Sequence, residues 1–358
     1  MKEITIIFLI FHFLTSCQAQ TVEENRQFLE KFVSDYTEYS FIKPDDLKLE
    51  VSDQLLNLNL DHLVIENPYE DSYPVSYSVV INNNLISLFE PGNFVCIDLA
   101  TMARNTDFEK LLNTKKFKYH WLIDGELTAV SGVATFKWEN SKWIKSNSKL
   151  PVDKQPKYFE DADFLVFGDC HGEWGGTVYF LDKKSDKVYF TESTCTNTVY
   201  SKNGEYYVFA HLGHGFGSAE LKVISDPRKL SVAKRTEINK MKDGDALGYK
   251  DKSGAFQEPM NFYGIQFFST FEYDNRQLYL GHLRDLTFLA EIKKNQIQIV
   301  HPLFKNEIYT HDPVTSTDTQ AILINLDHYG TAREREVSCL IIKDGQLTKL
   351  DWNENQSR

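Results

Sequence analysis

The feature that most constrains the fold of this chain is a hairpin pattern that recurs along most of its length. Pairs of short runs rich in aromatic and β-branched residues, which suit a pleated and half-buried surface, flank tight polar turns. These turns contain the Asn, Asp and Gly residues that supply the positive φ angles of tight hairpins. The eight turns lie at residues 82–84, 124–125, 139–141, 182–186, 203–204, 274–275, 293–295 and 344–345. We therefore expect eight β-hairpins.

Short strands that extend from one end of a chain to the other are compatible with a sandwich pair, a large barrel or a propeller. A propeller blade uses about 40–45 residues, so the roughly 320 residues after a first helix would form about seven blades. We expect a mainly β fold, a β-propeller-like array of short antiparallel hairpins with an N-terminal helix. No Trp-Asp dipeptide or Asp box recurs. An α+β N-terminal domain followed by a β domain is therefore the alternative, with a boundary near 145–158.

Three segments have helical signals within this β pattern. Thr21 and Glu24 have capping-box spacing, and apolar residues follow at helical spacing, which predicts a helix over 22–38. The apolar face consists of Phe28, Leu29, Phe32, Val33 and Tyr36. Thr106 with Glu109 has the same capping-box spacing, and Asp226-Pro227 is typical of the start of a helical turn. The β-rich domain would then occupy residues 39–358.

The charge balance excludes one class of partner. The chain has 39 Lys and Arg against 51 Asp and Glu, a formal net charge of −12. Such a surface repels phosphate backbones, so we expect no nucleic-acid partner.

The first twenty residues differ in composition from the rest. Lys2 precedes an apolar run, residues 4–13, that only Thr5 and His12 interrupt. The run is about half the length of a membrane-spanning helix and is typical of the hydrophobic region of a signal peptide. It predicts that the chain is exported.

The four residues that follow, Leu14-Thr15-Ser16-Cys17, resemble the lipobox of bacterial lipoproteins. The resemblance implies that residues 1–16 are a signal peptide and that Cys17 carries a diacylglycerol thioether after cleavage. Residues 17–21 would be a tether, and the protein would be anchored to a membrane of the cell envelope by its acyl chains. The rival interpretation is ordinary secretion after cleavage near Ala19.

Candidate functional side chains are densest in two loops that follow apolar strands. The loops contribute Asp169, His171, Glu173, Trp174, His211 and His214. Imidazoles and carboxylates are ligands for zinc or another divalent metal, and a histidine with a carboxylate also suits acid/base hydrolysis. The third interpretation is structural: the glycines permit tight loops, and Trp174 covers the end of a sheet layer.

The same loops contain two of the cysteines. Cys170 and Cys195 end strands that are separated by one hairpin, so a disulfide between them is consistent with the pattern and would support the structural interpretation. Four free thiols are the alternative for Cys96, Cys170, Cys195 and Cys339, because small buried cysteines are common in cores.

Aromatic residues near turns suggest a binding role. Trp138, Trp143 and Trp174 would stack on a glycan or anchor a protein partner if they are exposed, or pack at hairpin ends if they are not. The sequence has no GxSxG elbow, HExxH motif, P-loop or GxGxxG fingerprint. The leading hypothesis is therefore a membrane-anchored binding or interaction scaffold of the cell envelope. The alternative is an exported hydrolase or metal-dependent enzyme that uses the 169–174 and 211–214 loops.

Overall fold

The fold is described from a computed structural model of the chain. The described residues are 22–36, 42–44, 46–69, 72–146, 155–214, 217–234, 238, 250–304, 310, 312–318, 321–329 and 335–352. The predicted signal peptide, the lipobox with Cys17 and the tether lie outside these residues, as does most of the predicted boundary segment. Within the described part of the chain, no helix combines the length and the apolar character needed to cross a membrane.

Two strands, β1 (Lys48–Val51) and β2 (Asn59–Val64), precede the first blade. Blade 1 contains β3 (Val79–Ile81), β4 (Asn84–Phe89), β5 (Asn93–Asp98) and β6 (Ala103–Arg104). Blade 2 contains β7 (Tyr119–Ile123), β8 (Glu126–Ser131), β9 (Ala134–Glu139) and β10 (Lys142–Ser146). Blade 3 contains β11 (Lys157–Glu160), β12 (Phe164–Cys170), β13 (Gly176–Asp182) and β14 (Val188–Glu192).

Blade 4 contains β15 (Thr196–Lys202), β16 (Glu205–Leu212), β17 (Ser218–Ile224) and, after the edge strand β18 (Ser231–Ala233), β19 (Gln257–Tyr263). Blade 5 contains β20 (Gln266–Tyr273), β21 (Arg276–Leu283), β22 (Leu286–Lys293) and β23 (Gln296–Phe304). Blade 6 contains β24 (Val314–Asp318), β25 (Ala321–Tyr329), β26 (Arg335–Lys343) and β27 (Gln346–Asp351).

These strands form six sheets within the described residues, and their order makes the protein a six-bladed β-propeller. The strands of each blade are antiparallel neighbours, and the first strand of the blade lies nearest the axis, where β11, β15, β20 and β24 approach one another. Three strands extend a blade at its outer edge. β1 pairs in parallel with β23, β2 pairs in parallel with β27, and β18 returns to pair with β14 of blade 3.

The hydrophobic core is divided into six clusters, and each cluster fills the space between two neighbouring blades. One cluster closes the ring between the first and the last blade. It joins Leu85 and Phe89 of blade 1 to Leu323 of blade 6 and to Trp352, which follows the last strand of blade 6. Apolar burial of this kind stabilises by about 25 cal/mol per Å². Ring closure therefore rests on side-chain packing as well as on the parallel pairing of β2 with β27.

All eight predicted hairpins are present as adjacent antiparallel strands. Their turns contain the residues with positive φ that the sequence suggested, for example Asn203 at 53° and Asp344 at 50°. Asn and Asp tolerate this region of φ better than other non-glycine residues. The turn chemistry therefore determined where the strands reverse.

The helical segments are present, and the cap of the second helix differs from the prediction. Thr21, the predicted cap of the first helix, lies outside the described residues. Helix α1 (Val22–Tyr36) packs Leu29 and Phe32 into the cluster between blades 4 and 5. In α2 (Thr106–Leu112), Asn105 and not Thr106 caps the helix, because its side chain accepts a hydrogen bond from the Phe108 amide. The predicted turn after Asp226 is a single 3-10 turn, Pro227–Lys229.

The expected number of about seven blades was wrong. The first blade begins only at Val79, since the preceding chain forms α1 and the two strands that extend blades 5 and 6. Between β17 and β19, the described residues Ser231–Ala233 form an edge strand of blade 3. The alternative of a separate α+β N-terminal domain does not describe the structure either, because blades 1 and 2 belong to the same ring.

Candidate functional site

An axial cavity lies among the innermost strands of the propeller. Its volume is about 410 Å³, and residues of blades 1, 2, 3, 4 and 6 line it. Its exposed lining residues are Asp124 and Gly125, which follow β7, and Thr317, the next-to-last residue of β24. The cavity therefore opens toward the ends of the innermost strands.

Aromatic side chains form much of the wall of the axial cavity. The rings of Tyr119 and Trp121 lie with centroids 4.7 Å apart. The Trp121 indole donates to the Gln155 carbonyl at 2.8 Å, and the Tyr77 hydroxyl donates to the Asp312 carbonyl at 2.8 Å. Buried Tyr and Trp residues usually satisfy their polar atoms in this way. The wall is consequently held in one arrangement by its own hydrogen bonds.

A buried histidine contributes a neutral polar group to the same wall. His120 is 1% exposed, and its ring nitrogens lie 2.6 Å from the Ser76 hydroxyl and 3.2 Å from the Ile86 carbonyl. Burial lowers the pKa of His120 to about 4, against a smaller opposing effect of the Ile86 carbonyl. The imidazole is therefore uncharged at neutral pH.

Charged residues at the mouth of the cavity are paired with one another. The Glu160 carboxylate accepts from Lys157 at 2.9 Å and from the Asp124 amide at 2.9 Å. Lys183 contacts both Glu160 and Asp124 at 2.8 Å. The hydrogen bond from Lys183 is the largest cause of the lowered pKa of Asp124. These charges compensate each other, and exposed Thr317 also lines the cavity.

The 169–174 loop lies at the opposite end of blade 3. The end of β12 pairs with the start of β13, whereas Glu160 at the end of β11 pairs with Leu165 near the start of β12. The glycine at 176 is required here, because a Cβ would lie 2.5 Å from the Asp169 carbonyl and 2.6 Å from the Ser193 carbonyl. The loop is thus fixed against the linker to blade 4.

Two of the predicted side chains form a pair within the 169–174 loop. Asp169 accepts from the Thr177 amide at 2.9 Å and from the Tyr179 hydroxyl at 3.3 Å. His171 lies 3.6 Å from the Asp169 carboxylate. Burial raises the pKa of Asp169 above its ordinary value, against the lowering effect of His171.

The two predicted loops do meet, through one exposed pair. The His214 imidazole lies 3.3 Å from the Glu173 carboxylate, and both side chains are exposed. Trp174 beside them is 55% exposed. His211 does not join them, since it is buried near Asn197 and packs edge-on against Phe268. Among the described residues, these predicted side chains do not gather three metal-ligand atoms at one point.

The cysteines divide into one pair and two buried thiols. Cys170 and Cys195 form a disulfide across a sequence separation of 25 residues. Cys96 and Cys339 are free and buried, and burial raises the pKa of the Cys339 thiol to about 12. Thiols that stay protonated are poor nucleophiles and poor metal ligands, so Cys96 and Cys339 are core residues.

The other predicted aromatics are also structural. Trp138 and Trp143 pack against each other at 5.2 Å in the cluster between blades 1 and 2, and the Trp143 indole donates to the Leu112 carbonyl at 2.7 Å. The axial cavity was not predicted from the sequence. Its lining residues are far apart in the chain, and the local signal was limited to the Asp124-Gly125 turn.

Comparisons with known proteins place the chain in no family. No protein-family model matches it, and no curated protein matches it. The N-terminal domain of Nup159 aligns at 9% identity and a TM-score of 0.39, over 87% of this chain and 89% of that chain. A protein of unknown function from Bacteroides caccae aligns at 9% identity and a TM-score of 0.34, over 73% of this chain and 90% of that chain. Neither alignment identifies a ligand or an activity.

Proposed function

We propose that the protein is an exported, lipid-anchored binding protein of the bacterial cell envelope. Its ligand is a small, neutral, polyhydroxylated molecule, of which a sugar is the simplest class, and it occupies the axial cavity. The observation that carries the proposal is the cavity of about 410 Å³ on the axis of the propeller. Small-molecule sites have volumes of about 300–1,000 Å³ and combine mostly apolar walls with a few polar groups.

The chemistry of the lining favours hydroxyl groups over charged ones. The lining includes the aromatic residues Tyr119 and Phe159 and the hydroxyl-bearing residues Ser316 and Thr317. Aromatic rings pack on the C–H faces of a sugar, and hydroxyls exchange hydrogen bonds with its OH groups. The charges at the mouth already pair with each other, so a charged ligand would have to displace an ion pair.

Preorganisation supports binding at this place. Asn325 accepts from the Ser78 amide at 2.8 Å and donates to the Ser78 carbonyl at 3.1 Å, which joins blade 6 to the start of blade 1. With the hydrogen bonds of His120, these contacts fix the wall before a ligand arrives. A rigid site loses less conformational entropy on binding.

Export and anchoring are supported by two features of the chain. The Leu14-Thr15-Ser16-Cys17 segment resembles a lipobox, and the Cys170–Cys195 disulfide is of a kind that persists in oxidising compartments. Acyl chains on Cys17 would hold the propeller at a membrane surface.

The first experiment measures thermal unfolding of the purified protein with a panel of neutral mono- and disaccharides. A ligand at 100 times its Kd stabilises the folded state by about 2.7 kcal/mol, so at least one sugar should raise the Tm. Thr317→Trp places a large side chain at the exposed mouth and should abolish that rise. Val133→Trp, in the fully exposed turn between β8 and β9, is the matched control and should preserve it. A panel in which no sugar raises the Tm would refute the sugar proposal.

The anchor is tested by fractionation of cells that express the full chain. The wild type should sediment with membranes, and Cys17→Ala should be released or remain as uncleaved precursor. Cys339→Ala, at a buried free cysteine, is the control and should behave as the wild type. If Cys17→Ala is processed and sediments like the wild type, Cys17 is not the anchor.

A hydrolytic activity at the other face is the second candidate, and the Glu173–His214 pair at 3.3 Å favours it. A carboxylate that contacts an imidazole is a standard acid/base arrangement. Hydrolysis of chromogenic esters and glycosides should then be lost in both Glu173→Gln and His214→Ala. Rates at the level of buffer alone in the wild type would exclude this candidate for those substrates.

A further inference from the structure

We infer that Cys170, Cys195 and Asp312 form a zinc site when the disulfide bond between the two cysteines is reduced. The two sulfurs and a carboxylate oxygen of Asp312 lie within 4.8 Å of one another. In the oxidised protein the sulfurs are bonded to each other, so the site exists only after reduction. This inference is independent of the ligand proposed for the axial cavity.

The three residues come from separate parts of the propeller that are each held in place without the disulfide. Cys170 ends β12 and pairs with Gly176 of β13. The carbonyl of Cys195 accepts from the His211 amide at 3.2 Å. The carbonyl of Asp312 accepts from the Tyr77 hydroxyl at 2.8 Å. Because hydrogen bonds or strand pairing hold the backbone of all three residues, we expect their side chains to stay close together when the sulfur–sulfur bond is broken.

The donor set matches the preferences of zinc. Zn²⁺ binds thiolate at about 2.3 Å and carboxylate at about 2.0–2.2 Å, commonly with four ligands in a tetrahedron. Two thiolates and one carboxylate supply three of these ligands, and a water molecule completes the set. Harder cations such as Mg²⁺ and Ca²⁺ favour oxygen ligands alone, so the sulfur pair selects against them.

The redox step balances with a dithiol as reductant. Two electrons and two protons from the dithiol convert the Cys170–Cys195 disulfide into two thiols, and the reductant becomes a disulfide. Zn²⁺ then displaces the two thiol protons, which are released to solvent. Metal binding and the disulfide are therefore mutually exclusive states of the same two sulfurs.

The disulfide is partly accessible to such a reductant. Cys195 is 2% exposed, but Cys170 is half-buried and lies in the loop that also contains the exposed residues Glu173 and Trp174. Thiol–disulfide exchange depends on access to one sulfur only. We therefore expect attack at the Cys170 sulfur, with Cys195 as the leaving thiolate.

The test uses Zn²⁺ and Co²⁺ added to the purified protein after reduction with a water-soluble phosphine under nitrogen. The phosphine takes up an oxygen atom from water and leaves two thiols, and it avoids the zinc binding of dithiol reagents. The reduced protein should bind one equivalent of Zn²⁺, and Co²⁺ in its place should give thiolate charge-transfer absorption in the near ultraviolet. The oxidised protein should bind neither ion.

Two variants test whether the proposed ligand residues bind the metal. Asp312→Asn should weaken Zn²⁺ binding of the reduced protein by at least about tenfold, and Cys170→Ser should abolish it. Asp274→Asn is the matched control, because it removes one carboxylate from a distant turn where an Asn with positive φ is tolerated. Equal melting temperatures of oxidised wild type and Asp312→Asn establish folding. Reduced wild type that binds no Zn²⁺, or binding that Asp312→Asn leaves unchanged, would overturn the inference.

Discussion

The two ends of the propeller axis differ in how far apart in the chain their residues lie. At one end, the 169–174 and 211–214 loops place many polar residues close together in sequence, yet in the structure they form a disulfide, a half-buried carboxylate and one exposed carboxylate–imidazole contact. At the other end, the axial cavity opens among residues of five blades that share no motif. The local density of polar residues therefore indicated structural contacts, and the concave site arose from convergence of distant strands.

The difference follows from the geometry of a propeller. Each innermost strand contributes only a few residues to the axis, so a site there needs strands that are far apart in the chain. Loops between two strands of one blade bring near neighbours together instead. A propeller sequence accordingly shows its turns more clearly than its axial site.

The largest expected effect concerns the loop end of the molecule. Replacing both Cys170 and Cys195 by Ala should lower the free energy of unfolding by about 3 kcal/mol, since the disulfide restricts a loop of about 25 residues in the unfolded chain. Denaturant unfolding of the oxidised proteins measures the change. Ligand binding in the axial cavity should be unaffected, and a loss of stability below about 1 kcal/mol would show that the bond contributes little.

The next effect concerns the cavity end and depends on pH. The pKa of folded His120 is about 4, against about 6.5 in an unfolded chain. The unfolded state therefore binds more protons between these values, and stability falls as pH decreases through this window. At pH 4.5 the contribution of His120 amounts to a loss of about 2–3 kcal/mol relative to pH 8.

Denaturant unfolding at pH 8, 6, 5 and 4.5 measures this dependence. His120→Gln keeps one hydrogen-bond donor and one acceptor but does not titrate, so its stability should fall less steeply over the same range. Equal slopes for the two proteins would mean that His120 does not titrate as its burial implies.

The smallest effect concerns the exposed pair between the two loops. Glu173→Gln should change the free energy of unfolding by less than about 0.5 kcal/mol, because both side chains are exposed and solvent screens the interaction between them. Urea unfolding in low and high salt measures it, with Lys110→Gln, in the exposed pair with Asp107, as the control. A loss above about 1 kcal/mol would show that the two loops depend on this contact.

A feature of the structure could be predicted from the sequence when it depends on residues that are close together in the chain. The hairpins were predictable because residues such as Asn203 determine a turn within a few residues. The cap of α2 was misassigned by one position, since Thr106 and Asn105 are both good capping residues and only the backbone geometry distinguishes them. The number of blades was overestimated because β1 and β2 pair with strands more than 240 residues away. No local pattern reports such a pairing.

In the candidate site as well, some contacts could be predicted from the sequence and the cavity could not. The proximity of Glu173 and His214 followed from loops at the ends of neighbouring strands, as did that of Cys170 and Cys195. The axial cavity requires that Tyr77, Asp124 and Thr317 converge, and that convergence depends on ring closure by six blades. The periodicity of the sequence predicts the strands, but it does not predict the order in which the blades surround the axis.

The most direct test of the account compares the two ends of the axis with one ligand. Isothermal titration would use the sugar that most raises the Tm of the wild type, with wild type, Thr317→Trp and Trp174→Ala. If the ligand occupies the axial cavity, Thr317→Trp should weaken binding by at least about 100-fold, about 2.7 kcal/mol, while Trp174→Ala should bind as the wild type does. Weakened binding in Trp174→Ala with unchanged binding in Thr317→Trp would place the ligand at the loops and contradict the central claim.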